Sequence, residues 1–445
     1  MKKTTLLILS FLVIIYGAKS QTCLPEGKYF TNQIEIDNFQ TYYPGCTKIE
    51  GQVTISGSEI TNLSGLSVLF EIGGSLDITN NTQLESLFGL DNLEAVGSTF
   101  SIYENPMLKD ITSLSKIDSV HDDLYIETNE KLESLEGLHN IKHVNGFVDI
   151  LVQHRLKELN GLRSLVTVSD YFYISKMDSI QDFSGMDKLR QTGGISVSYC
   201  PMFKDFKGLS SIEKPGDIQA LRMDNLESFA GLEGVDTINS LRASNAEKLS
   251  NLQGFENLKF VNDFVKIEAC DNIITLGGLE SVSVIKQIIV RENPEIISLR
   301  GIDGVDPNQI SRIEIHNNPK LSLCEVQSIC EYISLPNIVT DVHDNTQKCN
   351  SVAEIDTACL YSSVSELTFS DLFSVYPNPS SYKLYIEKYN GAKVEEVILY
   401  NQYGQSVLWV KDNPDYIEVE NLTSGVYLIE ILFNNYKLRS KIIIN

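Results

Sequence analysis

A small residue followed by an apolar one recurs along most of this chain, at intervals of 23 or 24 residues. Ten of the eleven recurring positions hold glycine and one holds serine: Gly65, Gly89, Ser113, Gly137, Gly161, Gly185, Gly208, Gly231, Gly254, Gly278 and Gly301. Within each unit two apolar residues alternate with outward ones, as Phe100 and Ile102 do, which is the pattern of a strand buried on one face. A coil this short cannot bury its apolar side alone, so the coils must stack.

The repeat therefore predicts an all-β chain: a parallel, right-handed β-solenoid of about eleven 23–24-residue coils, capped at both ends by disulfides and followed by a small C-terminal β-sandwich. The terminal sandwich is expected because alternating apolar strands joined by turn signals, among them Asn434-Asn435, follow the last repeat. The expected segments are a signal peptide (1–20), an N-terminal cap with the first coils (21–64), the repeat solenoid (65–323), a disulfide-bonded cap (324–360), a linker (361–373) and the terminal domain (374–445).

The beginning of the chain has the form of an export signal. Lys2 and Lys3 precede an apolar run from Leu6 to Tyr16, and Ala18-Lys19-Ser20 has the small residues of a cleavage site. The run is too short to span a bilayer, so we expect an exported protein without a transmembrane segment. The formal charge of −23 repels polyanions, so we expect no nucleic-acid partner.

One inward position of each coil predicts a polar ladder through the solenoid. Its residues lie in the turn after the alternating strand, where an inward asparagine can satisfy the backbone of two successive coils. The predicted ladder residues are Asn81, Asn105, Asn129, Cys200, Cys270, Asn293 and Asn318. Because Cys200 and Cys270 lie three coils apart, about 14 Å, they cannot form a disulfide with each other. We interpret both as ladder residues rather than nucleophiles.

The other six cysteines lie at the two ends of the repeat region, where a solenoid needs caps. Cys23 and Cys46 bracket a short segment before the first coil and are expected to pair. Cys324 and Cys330 are expected to pair with Cys349 and Cys359, in either combination. An even number of cysteines at the caps of an exported chain indicates an oxidising compartment.

The last 72 residues carry a set of short motifs in a fixed order. They are Tyr376-Pro377-Asn378-Pro379, a turn with Tyr400 and Gly404, Ser424-Gly425-Val426-Tyr427, and a final Lys441-Ile442. The segment resembles the C-terminal sorting domain of the type IX secretion system of Gram-negative bacteria. The resemblance implies that the secretion machinery is a partner and that the chain passes through the outer membrane. It also implies removal of the tail, with release of the protein or its attachment to surface lipopolysaccharide.

The repeats carry "L-x-I-x-x-N-P-x-L" and "G-L" elements, as in "FSIYENPMLKDI". Residues 27–360 thereby resemble the receptor L domain, the leucine-rich-like solenoid of the ligand-binding lobes of epidermal growth factor and insulin receptors. The chain differs in its eleven coils and in its loss of asparagine through the middle. The resemblance implies a binding role, but none of the receptors' ligand contacts can be transferred to this sequence.

Two classes of function remain open on the residues alone. The first is a secreted or surface-displayed binding or adhesion protein with a protein or glycan ligand, or a structural surface component. The second is a carbohydrate-active lyase or hydrolase, which needs acids that converge on one face. Outward acids are scattered, and Glu127 and Asp149 are the only near pair. We therefore expect a non-enzymatic protein.

An aromatic stripe is the best candidate for a binding surface. Its predicted outward residues are Tyr103, Tyr125, Leu151, Tyr171 and Tyr173, with Glu127 and Asp149 at the rim. Tyrosine offers a large contact area with a polar tip, although it also favours strands for packing reasons alone. We expect no cofactor and no metal site, because His139 and His143 have helical metal spacing but lie in a coil.

Overall fold

The computed structural model describes residues 21–361, 372–388, 393–433 and 436–445. The predicted signal peptide, nearly all of the predicted linker and the Asn434-Asn435 turn lie outside the described residues.

The body of the protein is built almost entirely from short parallel strands. Its strands and α-helices, in chain order, are β1 (Gln21–Cys23), β2 (Lys28–Phe30), α1 (Gln33–Asp37), α2 (Phe39–Tyr42), β3 (Cys46–Ile49), β4 (Val53–Ile55), β5 (Glu71–Ile72), β6 (Leu76–Thr79), β7 (Ala95–Val96), β8 (Phe100–Tyr103), β9 (Ser119–Val120), β10 (Leu124–Glu127), β11 (His143–Val144), β12 (Val148–Leu151), β13 (Thr167–Val168), β14 (Tyr171–Ser175), β15 (Gly194–Ser198), β16 (Asp217–Met223), β17 (Thr237–Ile238), β18 (Leu241–Ala246), β19 (Phe260–Glu268), β20 (Val284–Arg291), β21 (Arg312–His316), α3 (Gln327–Ile333), β22 (Thr340–His343) and α4 (Val352–Tyr361). Short 3₁₀ turns lie at Ser64–Leu66, Thr112–Leu114, Asn160–Leu162 and Pro307–Gln309.

These strands form two parallel sheets on the sides of a solenoid. The long sheet runs in the order β2-β4-β6-β8-β10-β12-β14-β15-β16-β18-β19-β20-β21-β22, and β17 pairs with β19 beside that path. The second sheet runs in the order β1-β3-β5-β7-β9-β11-β13. Pairing within the long sheet is in register from coil to coil, so that Tyr125 pairs with Ser101 on one side and Asp149 on the other. The predicted solenoid is confirmed, and the sheet continues beyond the eleven repeats, through β2 and β4 at one end and β22 at the other.

The predicted ladder runs through the buried turn. The side-chain amide of Asn105 donates to the carbonyl oxygens of Ile78 at 2.9 Å and Tyr103 at 3.0 Å. Its Oδ1 accepts from the backbone N–H of Asn81 at 3.1 Å, and its own N–H donates to Oδ1 of Asn129 at 3.2 Å. Each asparagine thus satisfies backbone groups of its own coil and of the preceding one. The same pattern recurs at Asn81, Asn129, Asn293, Asn318 and, beyond the predicted set, Asn345.

The residue before the ladder position is left-handed in all coils from β6 to β22. Twelve of these residues have φ between 51° and 60°: Asn80, Glu104, Thr128, Val152, Lys176, Tyr199, Arg222, Asn245, Ala269, Glu292, Asn317 and Asp344. Such a conformation costs roughly 1–2 kcal/mol for a non-glycine residue. In the coils that have a ladder asparagine, the hydrogen bonds of that asparagine, which directly follows the left-handed residue, offset this cost. The conformation of the turn is therefore determined by contacts between stacked coils rather than by the conformational preference of the residue itself.

The repeated glycine has a simple steric cause. Gly89 has φ +112°, and a Cβ there would lie 2.1 Å from the carbonyl oxygen of Leu63 in the preceding coil. A side chain would collide with backbone, which cannot move aside.

The middle of the solenoid replaces the asparagine ladder with less polar side chains. Successive positions hold Gln153, Met177, Cys200, Met223, Ala246 and Cys270, all buried. Cys200 and Cys270, which the sequence places in the ladder, are both buried in this row. A column of phenylalanine rings fills the interior beside them, with centroids 4.9–5.6 Å apart: Phe183, Phe203, Phe206, Phe229 and Phe255. Ring packing takes over the stabilisation of the core where the hydrogen-bonded ladder is interrupted.

Both ends are closed by disulfide-bonded caps. Cys23 pairs with Cys46 beside α1 and α2, as expected. At the other end the structure selects one of the two open combinations, Cys324 with Cys349 and Cys330 with Cys359. The first helix of this cap, α3, begins at Gln327, three residues after Cys324.

The C-terminal domain is the predicted sandwich of two antiparallel sheets. Its strands are β23 (Phe373–Tyr376), β24 (Lys383–Lys388), β25 (Glu396–Tyr400), β26 (Ser406–Lys411), β27 (Tyr416–Glu418), β28 (Gly425–Phe433) and β29 (Tyr436–Ile444). They are ordered β23-β24-β27 and β26-β25-β28-β29. The apolar core of this domain extends onto the solenoid through Ile274, Ile297 and Leu323.

Candidate ligand-binding face

Three rows of side chains point outward from the long sheet. In the first half of the sheet the residue before each strand's first inward position forms one row, Asp123, Phe147, Tyr171 and Gly194. The next row holds Ser101, Tyr125, Asp149, Tyr173 and Ser196, and the third holds Tyr103, Glu127, Leu151, Ser175 and Ser198. We call the surface formed by Tyr103, Tyr125, Phe147, Leu151, Tyr171 and Tyr173, with Asp123, Glu127 and Asp149, the tyrosine face.

Three aromatic rings on this face form a continuous stack. Tyr171 and Tyr173 lie 5.1 Å apart between ring centroids at an interplanar angle of 8°, and Phe147 stacks on Tyr173 at 6.0 Å. The ring of Tyr171 lies over Gly194, and its hydroxyl donates to the carboxylate of Asp217. The sequence predicts exposed tyrosines, but in the structure they are half-buried, and the rings of Tyr171 and Tyr173 cover part of each other.

Carboxylates lie around Tyr125, beside the ring stack. The hydroxyl of Tyr125 donates to Asp123 at 3.1 Å, and burial together with this bond raises the pKa of Tyr125 to about 12. Burial, reinforced by the charges of Glu127 and Asp123, raises the pKa of Asp149 to about 6. Burial and the charge of Glu104 also raise the pKa of Glu127. Like charges thus accumulate here at a cost in electrostatic free energy.

In the other half of the same sheet, an outward acid is paired with cations. There Glu268 is paired with Lys266 at 2.9 Å, with Arg242 at 3.6 Å and with Arg291, and these cations and their hydrogen bonds lower its pKa against the effect of burial. Among the residues that the structure describes, no lysine, arginine or histidine nitrogen lies within 4.0 Å of the Asp149 carboxylate. Within the same distance, none of the described cations pairs with Asp123 or Glu127 either, so the carboxylates of the tyrosine face form no ion pair among the described residues.

The structure brings together Tyr125, Tyr171, Tyr173 and Asp149 of the predicted stripe in adjoining positions. Tyr103 and Leu151 lie in the third row, beside Glu127. Sequence reasoning missed Phe147, Asp123 and Asp217, which precede or begin their strands. Extending the alternation by one outward position before each strand would have found all three.

The thiols of the ladder have no place in a reactive site. Cys200 and Cys270 are fully buried, and burial raises the pKa of each to about 12. The thiolate, the reactive form, is therefore scarce at neutral pH.

The predicted sorting motifs meet at one edge of the C-terminal sandwich. Oδ1 of Asn378 accepts from the backbone N–H of Ile443 at 2.8 Å, and its amide donates to the carbonyl oxygen of Lys441 at 3.2 Å. The hydroxyl of Tyr427 donates to the carbonyl oxygen of Thr423 at 2.7 Å. Tyr400, Gly404, Tyr427 and Lys441 line one groove. Tyr376 stacks on Tyr385 at 5.8 Å, Pro377 and Pro379 flank Asn378, and Gly425 begins β28.

No helix among the described residues is long and apolar enough to cross a membrane.

Comparison with known proteins supports both resemblances. Residues 45–142 match the receptor L domain family, and residues 374–445 match the secretion system C-terminal sorting domain. Among solved structures, an internalin from Listeria monocytogenes is 15% identical, covering 66% of this chain and 81% of its own, with a TM-score of 0.37. No curated protein matches the chain. The chain thus carries a receptor L domain match within its repeat solenoid, and its type IX sorting domain marks it for export to the cell surface or the exterior.

Proposed function

We propose that this protein is a non-catalytic binding or adhesion protein, released from or displayed on the outer membrane, that recognises a protein or glycan through the tyrosine face. The observation that supports it best is the stack of Phe147, Tyr173 and Tyr171 beside the unneutralised carboxylate of Asp149. Packing alone accounts for tyrosines in strands. It does not account for an acid held beside them at an electrostatic cost.

The composition of the face favours a ligand that brings positive charge. Aromatic rings supply contact area at a small cost in conformational entropy, and their faces attract lysine and arginine groups. Uncompensated carboxylates add an attraction that a basic side chain of a protein satisfies directly. Among proteins and glycans, a protein segment with exposed lysine or arginine therefore fits the face best.

An enzymatic role is the second candidate, because one specific feature favours it. Asp149, whose pKa is raised to about 6, lies one strand from Glu127, and a proton-holding acid beside a second carboxylate is the arrangement that glycoside hydrolysis uses. The binding proposal predicts no turnover of any glycan that the protein binds. Hydrolysis abolished by Asp149→Asn would replace the binding proposal with the enzymatic one.

The test is a screen of the purified chain against arrays of glycans and proteins, beside the variant Glu127→Gln/Asp149→Asn. The proposal predicts that the wild type binds at least one ligand on the arrays. This binding should be much weaker in the variant and should decrease as the salt concentration rises. The control is Glu133→Gln/Asp178→Asn, which removes two exposed acids that already pair with Arg155 and His154. Hits that the two variants reduce equally would contradict the proposal. Silence of the wild type on every array would favour a structural surface role.

A further inference from the structure

Two histidines lie side by side at the far end of the long sheet. His316 ends β21 and His343 ends β22, and the two residues are paired in register across the parallel strands. Their imidazole rings are 4.7 Å apart between centroids and nearly parallel, at 3°. Both project from the outer surface of the sheet, in the row that continues Tyr103 and Glu127. Their ring nitrogens are consequently presented on the same side of the solenoid.

An aspartate completes the group. Asp341 begins the same outward alternation on β22, two residues before His343, and its Oδ1 lies 3.3 Å from Nε2 of His343. One nitrogen of each histidine and one oxygen of Asp341 all lie within 4.8 Å of one another. Tetrahedral ligands at about 2.0–2.1 Å from a zinc ion stand roughly 3.3 Å apart. Because the lone pairs of two parallel stacked imidazoles point in parallel planes, a shared ion requires the exposed His343 ring to turn out of the stack and the exposed Asp341 side chain to close on it.

A second carboxylate fixes the orientation of His343. Oδ2 of Asp344 lies 2.8 Å from Nδ1 of His343, on the opposite side of the ring from Asp341. When Nδ1 donates to Asp344, a neutral ring turns the lone pair of Nε2 toward Asp341. Two lone pairs at 3.3 Å repel unless a proton or a cation lies between them. A carboxylate behind a histidine is the usual outer support of a histidine metal ligand.

His316 adds an independent sign that the group is incomplete. Its Nδ1 is buried and has no hydrogen-bond partner among the described residues. A buried imidazole nitrogen left without a partner costs free energy of the order of a lost hydrogen bond. A cation held by this cluster would give His316 a strong interaction.

We propose that His316, Asp341 and His343 form a binding site for a divalent transition-metal ion, with zinc as the best match. Two imidazole nitrogens and one carboxylate oxygen are ligands that zinc prefers, whereas calcium and magnesium prefer sites made of oxygen alone. Three protein ligands leave a fourth position open for water or for a group of a partner molecule. The site joins the last repeat coil to the strand of the disulfide-bonded cap.

The surrounding charges permit a cation here. Arg291 is paired in register with His316, but its guanidinium is engaged by Glu268 and Glu314. Arg312 is likewise paired with Glu314. Asp341 and Asp344 lie close to the histidines and supply two negative charges.

The experiment is a zinc titration of the untagged chain from residue 21 to 445, in competition with a chromogenic chelator. We expect one zinc ion per chain, and a rise in melting temperature with zinc because the ion ties β21 to β22. His343→Gln and Asp341→Asn should each lower the affinity by more than about 100-fold, and Asp344→Asn by about 10–100-fold.

His154→Gln is the matched control, because His154 is an exposed histidine with one aspartate, Asp178, at 2.8 Å. This variant should bind zinc as the wild type does. Melting curves without zinc will show whether each variant is folded, and His316→Gln provides a third ligand variant if one is not. Equal zinc binding by the wild type and His343→Gln, or a loss of binding in His154→Gln, would overturn the proposal. So would a wild type that binds no zinc, which would leave the cluster as an ion-paired ring stack.

Discussion

The ring of Tyr171 lies across Gly194 so closely that a Cβ on this glycine would be 2.4 Å from Cε1 of the tyrosine. The missing side chain lets Tyr171 reach over the next strand to Asp217. Gly194→Ala should therefore displace the ring, break its bond to Asp217, and lower the free energy of unfolding by about 1–3 kcal/mol. Denaturant unfolding of the purified chain measures the change.

The double variant Gly194→Ala/Tyr171→Ser separates this cause from an ordinary effect of alanine in the strand. Without the Tyr171 ring, the methyl group of the alanine at position 194 no longer has a steric clash with it. The two changes should then be non-additive by at least about 0.5 kcal/mol. Additive effects would show that Tyr171 does not depend on the glycine.

Replacement of the ladder cysteines Cys200 and Cys270 by asparagine should be tolerated. Sγ of Cys200 lies 3.2 Å from the carbonyl oxygen of Ser198, the same relationship that the Asn105 amide has to Tyr103. Cys200→Asn should therefore change the free energy of unfolding by no more than about 1 kcal/mol, and Cys270→Asn likewise. Asn105→Ala leaves several buried groups unpaired and should cost about 3 kcal/mol or more. If Cys200→Asn proves as harmful as Asn105→Ala, the ladder interpretation of the cysteines is wrong.

Asp149 should make the stability depend on pH. Because burial, Glu127 and Asp123 raise its pKa from 3.8 to about 6, the native chain holds this proton more tightly than the unfolded chain does. The wild type should lose stability relative to Asp149→Asn as pH rises from about 4 to about 6, with no further change above that range. Melting temperatures of both proteins across this range test the sign. Asp77→Asn, at the equivalent outward position of β6, controls for the loss of a charge. A difference that grows with pH above about 7 would contradict the assignment.

Two of the solenoid residues that contact the tail are isoleucines at a position that is polar in other coils. The repeat spacing places Ile274 and Ile297 four residues before a repeated glycine, at the position that Lys204 and Glu227 hold in earlier coils. Ile274→Lys with Ile297→Glu restores the residues of those other coils, so the solenoid should stay folded. The tail should lose its contact and become more sensitive to trypsin, because burying an isoleucine side chain contributes about 1.5–3 kcal/mol. Unchanged trypsin cleavage would mean that the contact contributes nothing.

Much of this architecture could be predicted from the spacing of the repeats. An interval of 23 or 24 residues fixes which side chains face inward, and so the positions of Asn105, Cys200 and Tyr125 follow from the template alone. Contacts that depend on the particular residue of one coil, rather than on the repeated pattern, could not be predicted in this way. The half-burial of Tyr171 depends on the single glycine Gly194 in the next coil, over which its ring reaches Asp217 two coils away.

The cluster of His316, Asp341 and His343, for which we propose metal binding, could not be found from the sequence for a related reason. His343 lies on β22, which follows the irregular segment around α3 and has no place in the repeat. Only the structure shows that this strand continues the sheet beside His316. The choice between the two disulfide pairings at this cap also depended on the path of that irregular segment.

The measurement that tests the binding role most directly is the affinity of the triple variant Tyr103→Ser/Tyr125→Ser/Tyr173→Ser for the strongest ligand found on the arrays. Its matched control changes three exposed tyrosines outside the tyrosine face: Tyr29, Tyr42 and Tyr199. The affinity of the triple variant should fall by more than about 30-fold, as expected when residues worth about 2 kcal/mol are removed from an interface. Its melting temperature should fall only slightly, because the lost ring stacking contributes about 0.5–1.5 kcal/mol. A triple variant that is folded and binds as tightly as the control would contradict the assignment of this face, and one that fails to fold would show that the tyrosines serve the structure.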